Sequence, residues 1–113
     1  NVYRKAGDTL MVGRRGKEGR VDWDVIVSAD SLIVEGKKFG AADLEELILD
    51  DQTYQKTDGT EQEGYYSGIH VFGSNDTAVF GQKLTPEETH FLYSIVRAVL
   101  LGVPVRKIKL PAV

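Results

Sequence analysis

Thr85-Pro86-Glu87-Glu88-Thr89-His90-Phe91-Leu92-Tyr93-Ser94-Ile95-Val96-Arg97-Ala98-Val99-Leu100-Leu101-Gly102 is the one long helical pattern in this chain of 113 residues. Its punctuation is complete. Thr85 can cap the first turn, Pro86 suits the first helical position, and Glu88 stands three residues after Thr85, as a capping box requires. Phe91, Leu92, Ile95, Val96 and Val99 form one apolar stripe, with Glu87, Ser94 and Arg97 lying away from it. Gly102 is placed to end the helix in a left-handed conformation, and Pro104 prevents its resumption. A single capped helix at the end of a chain otherwise patterned as strands and turns predicts a small antiparallel β roll or barrel. One helix, residues 85–101, would close it.

Upstream, the period changes from helical to two. Thr9 to Val12 reads as a short strand. Gly13-Arg14-Arg15-Gly16-Lys17-Glu18-Gly19 reads as a loop, because three glycines in seven residues favour turns. From Arg20 to Ser28, Val21, Trp23, Val25 and Val27 share one face, and Asp22, Asp24 and Ser28 the other, which marks a half-buried strand. Ala29-Asp30-Ser31 turns the chain into a strand over Leu32–Val34 that ends near Gly36. Lys37 to Gly40 leads into Asp43–Glu46, which reads as one helical turn before a strand from Leu47 to about Asp51. Gln52 to Gly64 is polar and reads as a long exposed loop or hairpin. Tyr65–Phe72 and Thr77–Phe80 form a hairpin about Gly73-Ser74-Asn75-Asp76. About seven strands result, in a mainly β (α+β) domain spanning 1–113. Its core is expected over residues 9–102, with 103–113 a tail or edge strand.

Composition narrows the function classes. Hydrophobic residues make up 42% and charged residues 27%, which suits one folded domain with a single core. The chain has no cysteine, which excludes disulfides, a cysteine nucleophile and thiolate metal ligands. No run of apolar residues approaches the ~20 needed for a spanning helix. No charged-then-apolar leader pattern stands at the start, so the expectation is a processed protein or an excised soluble domain. That domain would be cytoplasmic, or membrane-associated through a partner or a segment outside this stretch. The net charge of −3 is unevenly distributed. Residues 1–20 carry six basic and two acidic groups, whereas residues 21–63 carry twelve acidic and three basic ones. Overall acidity argues against non-specific nucleic-acid binding, which needs a broad basic footprint.

The stretch Trp23-Asp24-Val25-Ile26-Val27-Ser28-Ala29-Asp30-Ser31-Leu32-Ile33-Val34-Glu35-Gly36-Lys37-Lys38-Phe39, with Asp43-Leu44-Glu45-Glu46-Leu47, resembles the second to fourth strands of pleckstrin-homology-like domains, the bacterial ones above all. Asp76-Thr77-Ala78-Val79-Phe80-Gly81 and Leu84-Thr85-Pro86-Glu87-Glu88 resemble their last strand and closing helix. The resemblance lies in spacing and hydropathy over residues 9–102 and carries no invariant motif. One departure stands out: many members have a tryptophan in the closing helix, where this chain has Phe91 and Tyr93. The resemblance implies a non-catalytic module, without a cofactor, that binds a protein partner, a second copy of itself or an anionic lipid headgroup.

Among candidate sites, the basic residues Arg14, Arg15, Lys17 and Arg20 stand foremost. Guanidinium forks suit phosphate oxygens, and the interleaved glycines let backbone N–H groups approach. The competing reading is a solvated hairpin tip, and Glu18 dilutes the cluster. Gly13-x-x-Gly16-x-x-Gly19 lacks the spacing and following helix of a nucleotide loop. His70 and His90 could join Asp22, Asp24 or Asp76 at a metal, but they show no ligand spacing and read as ordinary histidines. Asp22/Asp24, Glu45/Glu46 and Asp50-Asp51 read as solvated strand positions, not as acids facing across a cleft. Ser28, Ser31 and Ser67 lack a nucleophile elbow. Trp23 and Tyr65-Tyr66 read as packing residues, and any exposed member would suit a peptide-binding surface.

Overall fold

The structure is a computed structural model that describes residues 2–55, 63–82 and 84–111, with the side chains of 52–55 and 63–66 outside the description. Among the described residues eight strands form two antiparallel meanders followed by one α-helix. The first sheet holds β1 (Val2–Ala6), β2 (Thr9–Arg15), β3 (Val21–Val27), β4 (Ser31–Val34) and β5 (Lys37–Gly40), hydrogen-bonded in that order. The second holds β6 (Leu44–Gln55), β7 (Glu63–Gly73) and β8 (Thr77–Phe80). Helix α1 (Pro86–Leu100) follows. The mainly β class with a C-terminal helix is as expected. No strand ladder joins the two sheets among the described residues, so the expected closed roll or barrel is not found among them.

Four local readings need correction. First, β1 precedes the expected start of the core. Its Val2-Tyr3-Arg4-Lys5 pattern does not alternate cleanly. The two-residue Gly7-Asp8 connection nevertheless builds a hairpin that pairs Ala6 with Thr9. Second, β2 runs through Gly13 to Arg15 and is not a loop there. A register shift between Val12 and Gly13 lets Gly13 face Trp23, where a side chain would meet the Asp22 carbonyl oxygen at 2.3 Å. Third, Lys37–Gly40 is itself a strand, joined to β4 by the left-handed pair Glu35-Gly36. Fourth, Asp43–Glu46 is not a helical turn. β6 begins at Leu44, and a bulge at Glu45 produces the mixed spacing of Leu44, Leu47 and Leu49. The expected hairpin after Asp51 is a continuous ladder that pairs Gln55 with Glu63. The tip between them lies outside the described residues.

The helix follows its punctuation closely. Thr85 caps it, accepting from the Glu88 N–H at 3.2 Å, while the Thr85 hydroxyl donates to Glu88 Oε1 at 3.0 Å. At the far end Gly102 has φ +101°, Gly102 N–H bonds Val99 O, and Val103 N–H bonds Ala98 O, a Schellman closure. Leu92, Ile95, Val96 and Val99 are buried, as the stripe predicts. Phe91 lies at the margin instead, edge-on to Tyr3 at 5.9 Å between centroids. Pattern alone missed Thr89. It is fully buried, and its hydroxyl lies 2.9 Å from Gly81 O and 3.1 Å from Thr85 O, fastening the first helical turn to the end of β8.

The core lies between the inner faces of the sheets and the helix. Leu10, Val25, Val27 and Leu32 from the first sheet meet Ile69 and Val71 from the second. Val105 and Ile108 are also buried, so the segment after the helix packs as a short 3-10 turn and not as an edge strand. Lys5 Nζ secures it by donating to the Arg106 and Ile108 carbonyls. Lys37 ties the other flank of the first sheet to the second, bonding Asp76 Oδ1 and Thr77 O at 3.1 Å each.

Candidate functional site

The four basic candidates do not converge into one pocket. Arg14 and Arg15 lie on β2, opposite Asp22 and Val21 of β3. Lys17 lies in the 3-10 turn Lys17–Gly19, and Arg20 follows it. All four side chains are exposed. Arg14 is already engaged by Asp24, with Nε 2.9 Å from Oδ2 and a second nitrogen 3.3 Å from Oδ1. This forked geometry satisfies the guanidinium much as a phosphate would. Asp24, by its hydrogen bond first and its charge second, holds the Arg14 pKa above its ordinary value, with Glu35 and Asp22 adding to the effect. Asp22 also lies against Gly16: a side chain there would meet its Oδ2 at 3.0 Å. The β2–β3 end is thus a patch of mixed sign, four basic groups among Glu18, Asp22, Asp24 and Glu35. Sequence separation hid this, because the balancing acids come from neighbouring strands.

A small cleft of about 70 Å³ opens beside that patch. Val12, Val25, Phe80 and Leu92 make its floor, and Arg14, Asp24 and Glu35 stand at its margin. The space suits a single small side chain. It places the Arg14–Asp24 pair at the mouth between the first sheet and the β8–α1 junction.

The histidines, His70 on β7 and His90 on α1, each lie against one of the adjacent aspartates Asp50 and Asp51 of β6. His70 Nε2 is shielded from solvent, 3.5 Å from Asp50 Oδ2, and makes no hydrogen bond. His90 Nε2 lies 2.7 Å from Asp51 Oδ2, and Ser67 donates to Asp51 Oδ1 at 2.6 Å. Serine, aspartate and histidine are therefore connected, but with the carboxylate in the middle. A nucleophilic serine needs the imidazole as its direct base, and here the hydroxyl proton goes to Asp51. The cluster does structural work by joining α1 to β6. Among the described residues no three His, Asp or Glu side chains are grouped to hold a metal ion.

A larger hollow lies between β6 and the C-terminal end of α1. It measures about 280 Å³ and is lined by Leu44, Glu45, Glu46 and Leu47 of β6 with Arg97, Leu100 and Leu101 of the helix end. Leu101 is 70% exposed, and Ile48, just beyond on β6, is 38% exposed. Among the described residues β6 pairs with β7 alone, so its other side is a sheet edge. The Tyr93 hydroxyl donates to the Leu47 carbonyl at 3.4 Å, and beside that contact an apolar groove along a strand edge is the arrangement into which an extended segment can be laid.

Comparison with protein-family models, with curated proteins and with solved structures gives no match. The site is therefore defined by its own residues.

Sequence reading passed over this groove for a physical reason. Its two walls are about fifty positions apart in the chain, and Leu44, Leu47 and Leu100 look like core residues in isolation. One signal was present: Leu101 falls off the buried stripe and directly before the helix-ending Gly102, where an apolar side chain has no interior to enter. Tyr65 and Tyr66, the other aromatic candidates, have side chains outside the description. Trp23 is half-buried on β3, with the Arg4 guanidinium 4.9 Å from its ring centre. Among the described residues no helix is long and apolar enough to cross a membrane.

Proposed function

We propose that the chain is a non-catalytic interaction module of pleckstrin-homology-like build, and that it binds an extended segment of a protein partner along β6. The succession of two meandering sheets and a closing helix supports the pleckstrin-homology-like assignment, although the first sheet has an additional strand. The observation that carries the binding assignment is the open groove between Leu44–Leu47 and the end of α1. The β6 backbone would supply hydrogen bonds to the incoming segment, and alternate side chains of that segment would enter the apolar groove. Glu45 and Glu46, against Arg97 alone, favour a segment with basic residues beside its apolar ones.

A displayed library of extended peptides tests this. Peptides alternating apolar and basic residues are expected to be enriched, and Leu101→Glu should weaken their binding at least tenfold while leaving the circular dichroism unchanged. Absence of enrichment, or enriched peptides indifferent to Leu101→Glu, would overturn the assignment.

A further inference from the structure

The two sheets have four edge strands, and two of these edges face each other. Lys37, the first residue of β5, bonds both Asp76 and the carbonyl of Thr77, the first residue of β8. Among the described residues that leaves β1 and β6 as the edges with no strand beside them. Their sequences are complementary. β1 reads Val2-Tyr3-Arg4-Lys5, two apolar residues and then two basic ones. β6 reads Glu45-Glu46-Leu47-Ile48, two acidic residues and then two apolar ones. Laid antiparallel, Val2 falls opposite Ile48, Tyr3 opposite Leu47 and Arg4 opposite Glu46, with Lys5 facing the bulge at Glu45. Every cross-strand pair is then apolar with apolar or base with acid, the two kinds of pair that stabilise a sheet.

We infer that the partner segment is β1 of a second copy of this chain, so that copies associate head to tail through β1 and β6. This rests on the reading of β6 and its groove as the docking site. Charged residues on sheet edges ordinarily prevent pairing, and here they do so selectively. Laid antiparallel, two β1 edges would set Val2 opposite Lys5 and Tyr3 opposite Arg4, and two β6 edges would set Glu45 opposite Ile48 and Glu46 opposite Leu47. A charge set opposite an apolar side chain has no partner in the ladder, so only the β1–β6 pairing matches like character with like and base with acid. Antiparallel pairing also uses the right part of β6. A parallel register would instead set Lys5 opposite Asp51, whose carboxylate already holds Ser67 and His90. It would also leave the groove beside Glu45–Leu47 empty. The Arg4 guanidinium lies over Trp23 and Lys5 Nζ holds the Arg106 and Ile108 carbonyls, so Arg4, on the exposed side of the strand, is the cation that meets the partner most directly. Because the two surfaces are different, each copy retains one open β1 and one open β6, and the association is open-ended unless its rotation closes a ring.

Charge exchange tests this directly with three full-length chains: the wild type, Glu45→Lys/Glu46→Lys, and Arg4→Glu/Lys5→Glu. Light scattering at low salt is expected to show the wild-type mass rising above 12.5 kDa with concentration. The rise should be suppressed in roughly 0.5 M salt, where the Debye length falls to a few ångströms. Each variant alone should stay monomeric, having two edges of like sign. Mixed in equal amounts they should associate again, because each then offers the other an edge of opposite sign. A wild type that remains monomeric at every concentration, variants that associate alone, or a mixture that fails to reassociate would each overturn the inference. Loss of fold in a variant is checked by circular dichroism, and the wild-type concentration series stands independently of it. If the wild type is monomeric but library peptides still bind in a Leu101-dependent way, self-pairing fails and the groove stands. If both fail, the groove reading fails with it.

Discussion

The β2–β3 end and the β6–α1 end offer two contrasting surfaces. The first has the more conspicuous residues, four cations in seven positions, yet its innermost one is met within the molecule: Asp24 grips Arg14, and Asp22 and Glu35 stand beside it. The second is made of leucines and two glutamates that draw no notice in the sequence. It nevertheless retains an unpaired strand edge and an exposed leucine. Residues that look functional by type can be satisfied by their neighbours, and residues that look structural can be left unsatisfied by the fold. Availability after folding, more than chemical type, distinguishes the two surfaces.

The contrast can be broken most severely through the scaffold beneath the first surface. Leu92 is buried under the small cleft, and Leu92→Ala is expected to cost about 2–5 kcal/mol in a urea titration. Gly13→Ala strikes the β2–β3 end alone. Its Cβ would lie 2.3 Å from the Asp22 carbonyl oxygen, a backbone atom that cannot swing aside, so overpacking of about 1–3 kcal/mol is expected. Leu101→Glu should change stability by less than about 0.5 kcal/mol, because the side chain is exposed, while abolishing groove binding. That pairing of effects would separate the binding surface from the scaffold. At the basic end, sedimentation with anionic vesicles at roughly physiological salt is expected to leave the protein in the supernatant, since acids offset the four cations there. Pelleting that Arg14→Glu/Arg15→Glu abolishes would reverse the ranking of the two surfaces.

The smallest effect concerns pH. The Thr77 N–H, with Lys37 second, holds the Asp76 carboxyl below its ordinary value of 3.8. A carboxyl held lower in the folded chain than in the unfolded one stabilises the fold above its unfolded value. It loses that contribution as pH falls through the folded value. The difference in urea midpoint between wild type and Asp76→Asn should therefore be small and level above about pH 5 and shrink as pH falls below the ordinary value of 3.8. A difference that grows on acidification would show that the Lys37 bridge between the sheets is not what stabilises this turn.

The helix was legible to the residue because its signals are local: Thr85, Pro86, Glu88 and Gly102 each act within one turn. The hairpins at Asp30 and at Gly73–Asp76 were legible for the same reason. β1 and β5 were not, because short strands such as Lys37-Lys38-Phe39-Gly40 owe their state to a neighbour's ladder and not to their own periodicity. The bulge at Glu45 imitated a helical turn by shifting the strand's phase by one residue. The basic cluster was found by composition, but its neutralisation by Asp24 was visible only once β2 and β3 were paired. The groove depended entirely on tertiary placement, with Leu101 its one trace in the sequence.

The contact of Arg4 with Trp23 has a practical consequence. Trp23 is the sole tryptophan in the chain. It sits on β3, under a cation carried by β1. The indole is thus a built-in fluorophore that senses the outer strands of the first sheet, whereas far-ultraviolet ellipticity follows the helix packed on the second. Recorded together during thermal denaturation, the two signals would reveal whether the halves of the molecule melt as one unit or come apart in sequence.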